Sequence, residues 1–182
     1  MRRLIIGLSA SALVVTGLAL VPSASRAAGG TGSWGDWTIT PGSGSGSLTF
    51  TGTDFPDAAV SSTGQSLAVS SGASVSLSGR TPIGTEYGTS ANRPYLSAGF
   101  SATPATVTIT FTTAPKAGTW SFALGDIDAE KVEISARDAS GAALDVSGWF
   151  RASFNYAGAA DLPVWASPAL TGNNADSNGA SA

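Results

Sequence analysis

The chain has no cysteine and no histidine among its 182 residues. Without cysteine there is no disulfide framework, no thiol nucleophile and no cysteine for a lipid anchor. Without histidine, triads of the Ser–His–Asp type and the common zinc sites are excluded. Only carboxylate, lysine, hydroxyl or tyrosine chemistry is left for catalysis. The fold must be stabilised by its apolar core, with or without help from a metal ion.

Charge is also scarce, since charged residues make up only 12% of the sequence. Arg2, Arg3 and Arg26 are three of the nine basic residues, so residues 28–182 carry six basic and twelve acidic groups, a formal net charge of −6. Binding to phosphates requires clustered Lys and Arg, which this part of the chain lacks. We therefore expect no nucleic-acid partner and, once the N-terminal segment is removed, no membrane partner.

The N-terminal segment has the three parts of an export signal. Arg2 and Arg3 form a basic start, residues 4–21 form an apolar stretch, and Ser25 and Ala27 place small residues three positions and one position before a cleavage point. We predict a signal peptide over residues 1–27 and a secreted protein that begins at Ala28. The alternative is a retained membrane anchor, which would need about 20 predominantly apolar residues. The polar and glycine interruptions in this stretch and the cleavage site behind it favour the signal peptide.

Short alternating segments dominate the rest of the chain, and no helical stripe of apolar residues is present. The clearest strand is 106–112, and we expect residues 120–124 to pair with it as a hairpin before a third strand at 132–137. Shorter strands are predicted at 34–40, 47–51, 67–69 and 75–78, with loops at 42–47, 52–66 and 79–104. The pattern predicts an all-β protein: an antiparallel two-sheet sandwich of jelly-roll or immunoglobulin-like type.

The predicted organisation has four parts. These are the signal peptide (1–27), a flexible lead with the first strand (28–46), the β-sandwich domain (47–171), and a polar tail or truncated loop (172–182).

Acidic and amide residues form one candidate metal site. Asp126, Asp128 and Glu130 occupy alternate positions, and Asn174 and Asp176 belong to a second oxygen-rich loop. Ca²⁺ takes six to eight oxygen ligands, often from such residues, so one hypothesis is that the two loops share a Ca²⁺ ion. The alternative, which turn chemistry favours, is that the aspartates bond nearby backbone N–H groups and cap a hairpin turn.

Five tryptophans are many for so small a domain. Trp34, Trp37 and Trp165 lie near Gly, Asp and Pro and are the candidates for a surface on which sugar rings stack. The alternative for each is ordinary packing against the core. Trp120 shares the alternation of Phe122, so we expect it to be a core residue.

The segment 122–129, Phe-Ala-Leu-Gly-Asp-Ile-Asp-Ala, resembles a group of secreted, surface-associated actinobacterial proteins. The resemblance extends through the strand at 132–136, Phe-Asn-Tyr at 154–156, Trp165 and the segment 170–180, and so covers about residues 104–181. It implies a β-sandwich at the cell surface and no particular activity. Such proteins usually continue with a further strand pair, so the resemblance also implies a sandwich that lacks its last strands here.

Together these features predict a secreted or wall-associated, non-enzymatic module with a structural or binding role. Its partner would be a cell-wall glycan or another surface protein. The alternative is a carbohydrate-binding module that uses the three surface tryptophans, and a glycan-acting hydrolase is a more distant one. No catalytic residue and no cofactor other than the candidate Ca²⁺ is assigned.

Thermal melting separates the two readings of the acidic loop. If the aspartates only cap a turn, the melting temperature should be the same in EDTA and in about 2 mM Ca²⁺. A shared Ca²⁺ site with a Kd of about 10⁻⁴ M would instead stabilise the fold by about 1.8 kcal/mol at that concentration. A rise of several degrees in Ca²⁺, absent from an Asp126→Asn variant, would overturn the capping interpretation.

Overall fold

The computed structural model describes most of the chain, in ten segments. These are residues 2–8, 11–16, 33–71, 81–90, 92–98, 104–127, 130–151, 153–155, 162–172 and 179–181.

Within these segments the chain forms fifteen strands and a single helix of six residues. The strands are β1 (Arg2–Leu8), β2 (Ser11–Thr16), β3 (Asp36–Ile39), β4 (Ser45–Thr49), β5 (Ala58–Thr63), β6 (Leu67–Ser70), β7 (Tyr95–Ala98), β8 (Thr106–Phe111), β9 (Leu124–Gly125), β10 (Lys131–Arg137), β11 (Ala143–Leu144), β12 (Ser153–Asn155), β13 (Val164–Ala166), β14 (Ala169–Thr171) and β15 (Gly179–Ser181). The helix α1 (Pro82–Tyr87) lies between β6 and β7 in the chain. In the part of the chain that the structure describes, no helix has the length and apolar character needed to cross a membrane.

The described strands form three sheets. The largest has the order β13–β14–β10–β1–β8–β5–β4–β3, with β11 paired to β10 and with β2 paired to β10 and β8. The second is β12–β15–β9, and the third is β6–β7. All ladders are antiparallel except the short contacts of β2. The predicted all-β class with antiparallel sheets is confirmed, and the choice between jelly-roll and immunoglobulin-like connections stays a prediction.

The core lies under β8 and β10, the two strands with the cleanest alternation. In β8 the odd-numbered residues are buried and the threonines between them are half-buried, as strand geometry requires. In β10 the buried positions are Val132, Ile134 and Ala136. These side chains join one apolar cluster with Leu170 of β14 and with residues of β4 to β6. The strand predictions for both segments are confirmed.

The segment predicted to be a signal peptide supplies the strand between β8 and β10. β1 pairs antiparallel with both neighbours: Leu4 is in register with Ile109 on one side and with Ala136 on the other. Each of these two ladders extends over five positions. β2 adds only two paired positions on β10 and one on β8.

The hairpin predicted between residues 106–112 and 120–124 is wrong. β8 pairs with β5 and β1, whereas Leu124 and Gly125 pair with β15. Trp120 and Phe122 do pack against the core, as their alternation indicates. Alternation shows which side chains face the core, but it does not identify the strand with which a segment pairs.

Three predicted loops contain regular structure. Residues 52–66 include β5, residues 79–104 include α1 and β7, and β4 begins inside the Gly/Ser segment 42–47. The residues of β4 and β5 that lie in these predicted loops are mostly small. Small residues have a weak strand preference, so the sequence pattern does not indicate that they belong to strands. The C-terminal segment 172–182 includes β15, and the strand predicted at 75–78 lies outside the described residues.

A tight turn after β10 is held by one carboxylate. Asp138 Oδ1 accepts hydrogen bonds from Ser140 Oγ at 2.6 Å, Ser140 N at 2.8 Å and Ala142 N at 3.0 Å. Gly141 has a φ of +90°, which glycine adopts without strain. The Ser140 hydroxyl, followed by the backbone N–H groups of Ala142 and Ser140, lowers the pKa of Asp138 below its ordinary value of 3.8.

The first stability prediction concerns the centre of the core. We expect Leu170→Ala to lower the free energy of unfolding by about 2–5 kcal/mol, because it leaves a cavity in the apolar cluster. Val164 on the neighbouring strand β13 is 60% exposed, so Val164→Ala is the matched control, with an expected change within about 0.5 kcal/mol. Urea denaturation measures both, and equal losses would contradict this placement of the core.

A second prediction concerns acid stability. A lowered folded-state pKa stabilises the fold above pH 3.8, and this contribution is lost as the pH falls through the folded value. Asp138→Asn should therefore be less stable than the unmodified chain at neutral pH, with a difference that shrinks below pH 3.8. Ser140→Ala should raise the Asp138 pKa toward 3.8, as measured by NMR titration. An unchanged Asp138 pKa in that variant would show that the Ser140 hydroxyl is not its principal cause.

Candidate functional site

A continuous array of aromatic rings runs from the core to the surface. We call it the aromatic array, and it consists of Phe50, Phe55, Phe111, Trp120, Phe122, Trp149, Phe150 and Trp165. Ring centroids of neighbouring members lie 4.5–6.4 Å apart, mostly in edge-to-face arrangements. This is the spacing that aromatic pairs prefer. The array therefore forms a preorganised apolar wall that includes Phe111, the last residue of β8.

A pocket of about 170 Å³ opens along this wall. It lies between α1, residues 118–122 and residues 148–151, and it is lined by Pro82, Ile83, Glu86, Tyr87, Gly118, Trp120, Ser121, Phe122, Gly148, Trp149, Phe150 and Arg151. Pockets for drug-sized ligands start at about 300 Å³, so this one has room for a single ring rather than an extended molecule.

Local sequence explains how α1 reaches the pocket. Thr81 caps the helix, because its Oγ1 accepts a hydrogen bond from Gly84 N at 3.1 Å. Pro82 follows at the first helical position, where its missing N–H is no loss. Ile83 is buried. Glu86 and Tyr87, one turn further on, line the pocket.

A second turn positions the tryptophan opposite. Asp145 Oδ1 accepts a hydrogen bond from Ser147 N at 2.8 Å, and this bond lowers the Asp145 pKa below its usual value. Trp149 N then donates to Val146 O at 3.1 Å. The chain thus reverses just before Trp149, whose ring meets those of Trp120 and Phe122 at 6.0 and 6.2 Å.

The polar groups of the pocket are few. Arg151 Nη1 lies 3.6 Å from Glu86 Oε2, and the Tyr87 hydroxyl donates to Glu86 Oε1 at 3.3 Å. The Arg151 side chain is 65% exposed and that of Glu86 is 25% exposed, so the ion pair lies near solvent. Among the described residues, Trp149 Nε1 is a buried donor without a hydrogen-bond partner. An apolar wall with a few polar groups is the usual composition of a small-ligand site.

Among the three tryptophans predicted as a surface platform, Trp165 lies apart from Trp37. Trp37 on β3 and Trp165 on β13 belong to opposite edges of the ten-stranded sheet, seven strand spacings apart. Both are half-buried and pack against the core. Trp165 Nε1 also donates to Ser147 O at 2.9 Å. Trp34 is half-buried in the segment just before β3.

Two other tryptophans line the pocket instead, Trp120 and Trp149. The expectation that Trp120 packs on the core is confirmed, but the same ring also faces the pocket. One weak signal for this site is present in the sequence, where Trp149, Phe150 and Arg151 directly follow a Ser-Gly turn. The sequence contains no signal for the contribution of α1 to the pocket, because this helix lies in the segment 79–104, which was predicted to be a loop.

The predicted Ca²⁺ ligands fall mostly outside the described residues. This applies to Asp128, Asn174 and Asp176. Asp126 is described with a φ of +63°, and the backbone oxygen of Glu130 accepts a hydrogen bond from Gly172 N at 2.9 Å. Within the described segments, no group of three or more acidic side chains is placed to hold a metal ion. The Ca²⁺ site stays a prediction.

Comparison of the chain with protein-family models, with curated proteins and with solved structures returns no significant match.

Proposed function

We propose that this chain is an exported, non-enzymatic β-sandwich module that binds one sugar ring of a cell-surface glycan in the pocket between α1 and Trp149. The observation that carries the proposal is the combination of aromatic faces with an ion pair at one pocket. Sugar rings present apolar C–H faces and polar hydroxyl edges, so a stacking surface beside charged hydrogen-bonding groups is complementary to them. The N-terminal sequence supports export.

The volume supports a terminal or single residue of a glycan. A pocket of about 170 Å³ would enclose one ring, with the remainder of the glycan outside. Arg151 and Glu86 would then meet the hydroxyl groups at the edge of that ring.

The acidic groups at the pocket support a binding role over hydrolysis. Glycoside hydrolysis by the common mechanisms requires two carboxyl groups beside the scissile bond. Among the described lining residues, Glu86 is the sole carboxylate, and it is engaged by Arg151 and Tyr87. We therefore propose that a bound glycan is retained without cleavage.

Retention on insoluble glycans tests this function. The exported protein should be retained by purified peptidoglycan or arabinogalactan, and a soluble monosaccharide of the retaining polymer should elute it. Arg151→Ala should weaken retention at least tenfold, because a hydrogen bond to a charged group contributes about 1.5–3 kcal/mol. Arg93 is an exposed arginine that does not line the pocket, so Arg93→Ala is the matched control.

Three results would contradict the proposal. If neither polymer retains the protein, glycan binding is wrong. If Arg151→Ala and Trp149→Phe are both retained as strongly as the unmodified protein, the pocket is not the site. The Trp149→Phe variant keeps an aromatic ring at this position. If reducing ends appear during incubation and Glu86→Gln abolishes them, the module is a hydrolase.

A further inference from the structure

The backbone directions of β8 and β10 define a gap one strand wide. β1 is antiparallel to both strands, so β8 and β10 run parallel to each other on either side of it. Two strands separated by a third lie roughly 9.5 Å apart, which is too far for direct hydrogen bonds. The sheet is therefore continuous only while some strand lies between them.

The hydrogen bonds of the outer edges show which groups face this gap. Thr112 N donates to Asp57 O on the β5 side, and Ile134 N donates to Pro168 O on the β14 side. Alternate residues of a strand direct their N–H and C=O groups to the same edge. The even-numbered residues of both strands therefore bond outward, and the odd-numbered ones face the gap.

Five residues within the β1 ladders face the gap. They are Val107, Ile109, Phe111, Glu133 and Ser135. Each has one backbone N–H and one C=O directed at β1. Without β1 these groups would lose their hydrogen-bond partners within the sheet, and a strand that enters the gap would supply new ones.

The two faces of the gap fix the chemistry of the strand that fits it. On one face lie the apolar side chains of the core, all at most 2% exposed: Val107, Ile109, Phe111, Val132, Ile134 and Ala136. On the other face Thr108, Thr110, Glu133 and Ser135 are half-buried. A fitting strand has apolar residues at alternate positions and polar or small residues between them.

The part of the chain that remains after export does not provide this strand from its described residues. Every described strand from β3 to β15 already has its place in one of the three sheets. Only β1 lies fully between β8 and β10, and it belongs to the segment that signal cleavage would remove.

We propose that the gap between β8 and β10 is an acceptor site for a strand donated by a second polypeptide. The donor is an extended segment of at least five residues with alternating apolar side chains, and it runs antiparallel to both strands. Addition of a strand gives affinity through main-chain hydrogen bonds and specificity through the alternate side chains. This inference rests on the part of the proposed function that concerns export with removal of residues 1–27, and it is independent of glycan binding.

Residue-resolved hydrogen exchange tests the proposal with an internal control. The full-length chain, retained in the cytoplasm, is compared with the exported protein, whose N-terminus is first determined by sequencing. In the exported protein, the amides of the five gap-facing residues should exchange at least tenfold faster than in the full-length chain. The amides of Thr108, Thr110 and Ile134, on the same strands but bonded outward, should stay protected.

A synthetic peptide of residues 2–8 serves as the donor probe. It should restore protection of the gap-facing amides. Position 4 is in register with the buried Ile109 and Ala136, so a Leu4→Asp peptide should bind at least tenfold more weakly. Position 5 is in register with the half-buried Thr108 and Ser135, so an Ile5→Thr peptide should bind like the parent.

Three results would overturn the acceptor site. If the exported monomer protects the gap-facing amides without peptide, its own chain closes the gap. If the exported protein lacks protection throughout and the peptide does not restore it, the sheet does not accept a strand. An exported protein that still begins at residue 1 leaves no gap and overturns the proposed removal of residues 1–27 as well. If the glycans do not retain the protein but the peptide still restores protection, only the proposal of glycan binding at the pocket is overturned.

Discussion

The parallel arrangement of β8 and β10 with one strand between them is the constraint on which the sheet depends. Each strand has its outer edge paired already, β8 to β5 and β10 to β14 and β11. Both direct their apolar residues into the same cluster. The chain has no cysteine, so no disulfide can substitute for this burial. The stability of the large sheet is therefore concentrated in one place, where the loss of a single strand separates two otherwise complete halves.

The pocket depends on the same core through the aromatic array. Phe111 ends β8 in a buried position and contacts Trp120 at 5.8 Å between ring centroids. Trp120 in turn orients Phe122 and Trp149, which form the pocket wall. Because packed rings transmit small displacements to their neighbours, the geometry of the pocket follows the position of β8. A displacement at the centre of the sheet would therefore alter the geometry of the candidate ligand site through the packed aromatic rings.

Strands and their buried faces depend on neighbouring residues and could be predicted from the sequence. Strand pairing and the pocket depend on distant residues and could not. The alternation of β8 and β10 predicted both strands and their buried faces. The partner of the segment at 120–124 was wrong, because pairing is decided by the whole sheet rather than by the turn between two strands. The strand predicted at 47–51 begins two residues earlier in the structure, as β4, because Gly46 is typical of a loop. In the structure a Cβ at Gly46 would overlap the Thr38 carbonyl oxygen, so glycine is what allows β3 and β4 to approach. The pocket was missed because its three segments meet only after folding.

The proposed export signal can occupy the position of β1 because such signals share one property with buried strands. Both are short segments rich in Leu, Ile and Val, although an export signal is selected for hydrophobicity rather than for pairing. Leu4 and Ile6 of this segment are in register with the buried residues Ile109 and Val107, and its backbone supplies the hydrogen bonds. A gap that accepts it is therefore selective for apolar residues at the core-facing positions and for strand direction more than for particular residues. Selectivity among natural donors would have to come from the half-buried face, where Glu133 pairs with Lys131 at 2.7 Å and the neighbouring groups are hydroxyls. A polar donor face that complements this pair would distinguish a true partner from an arbitrary apolar strand.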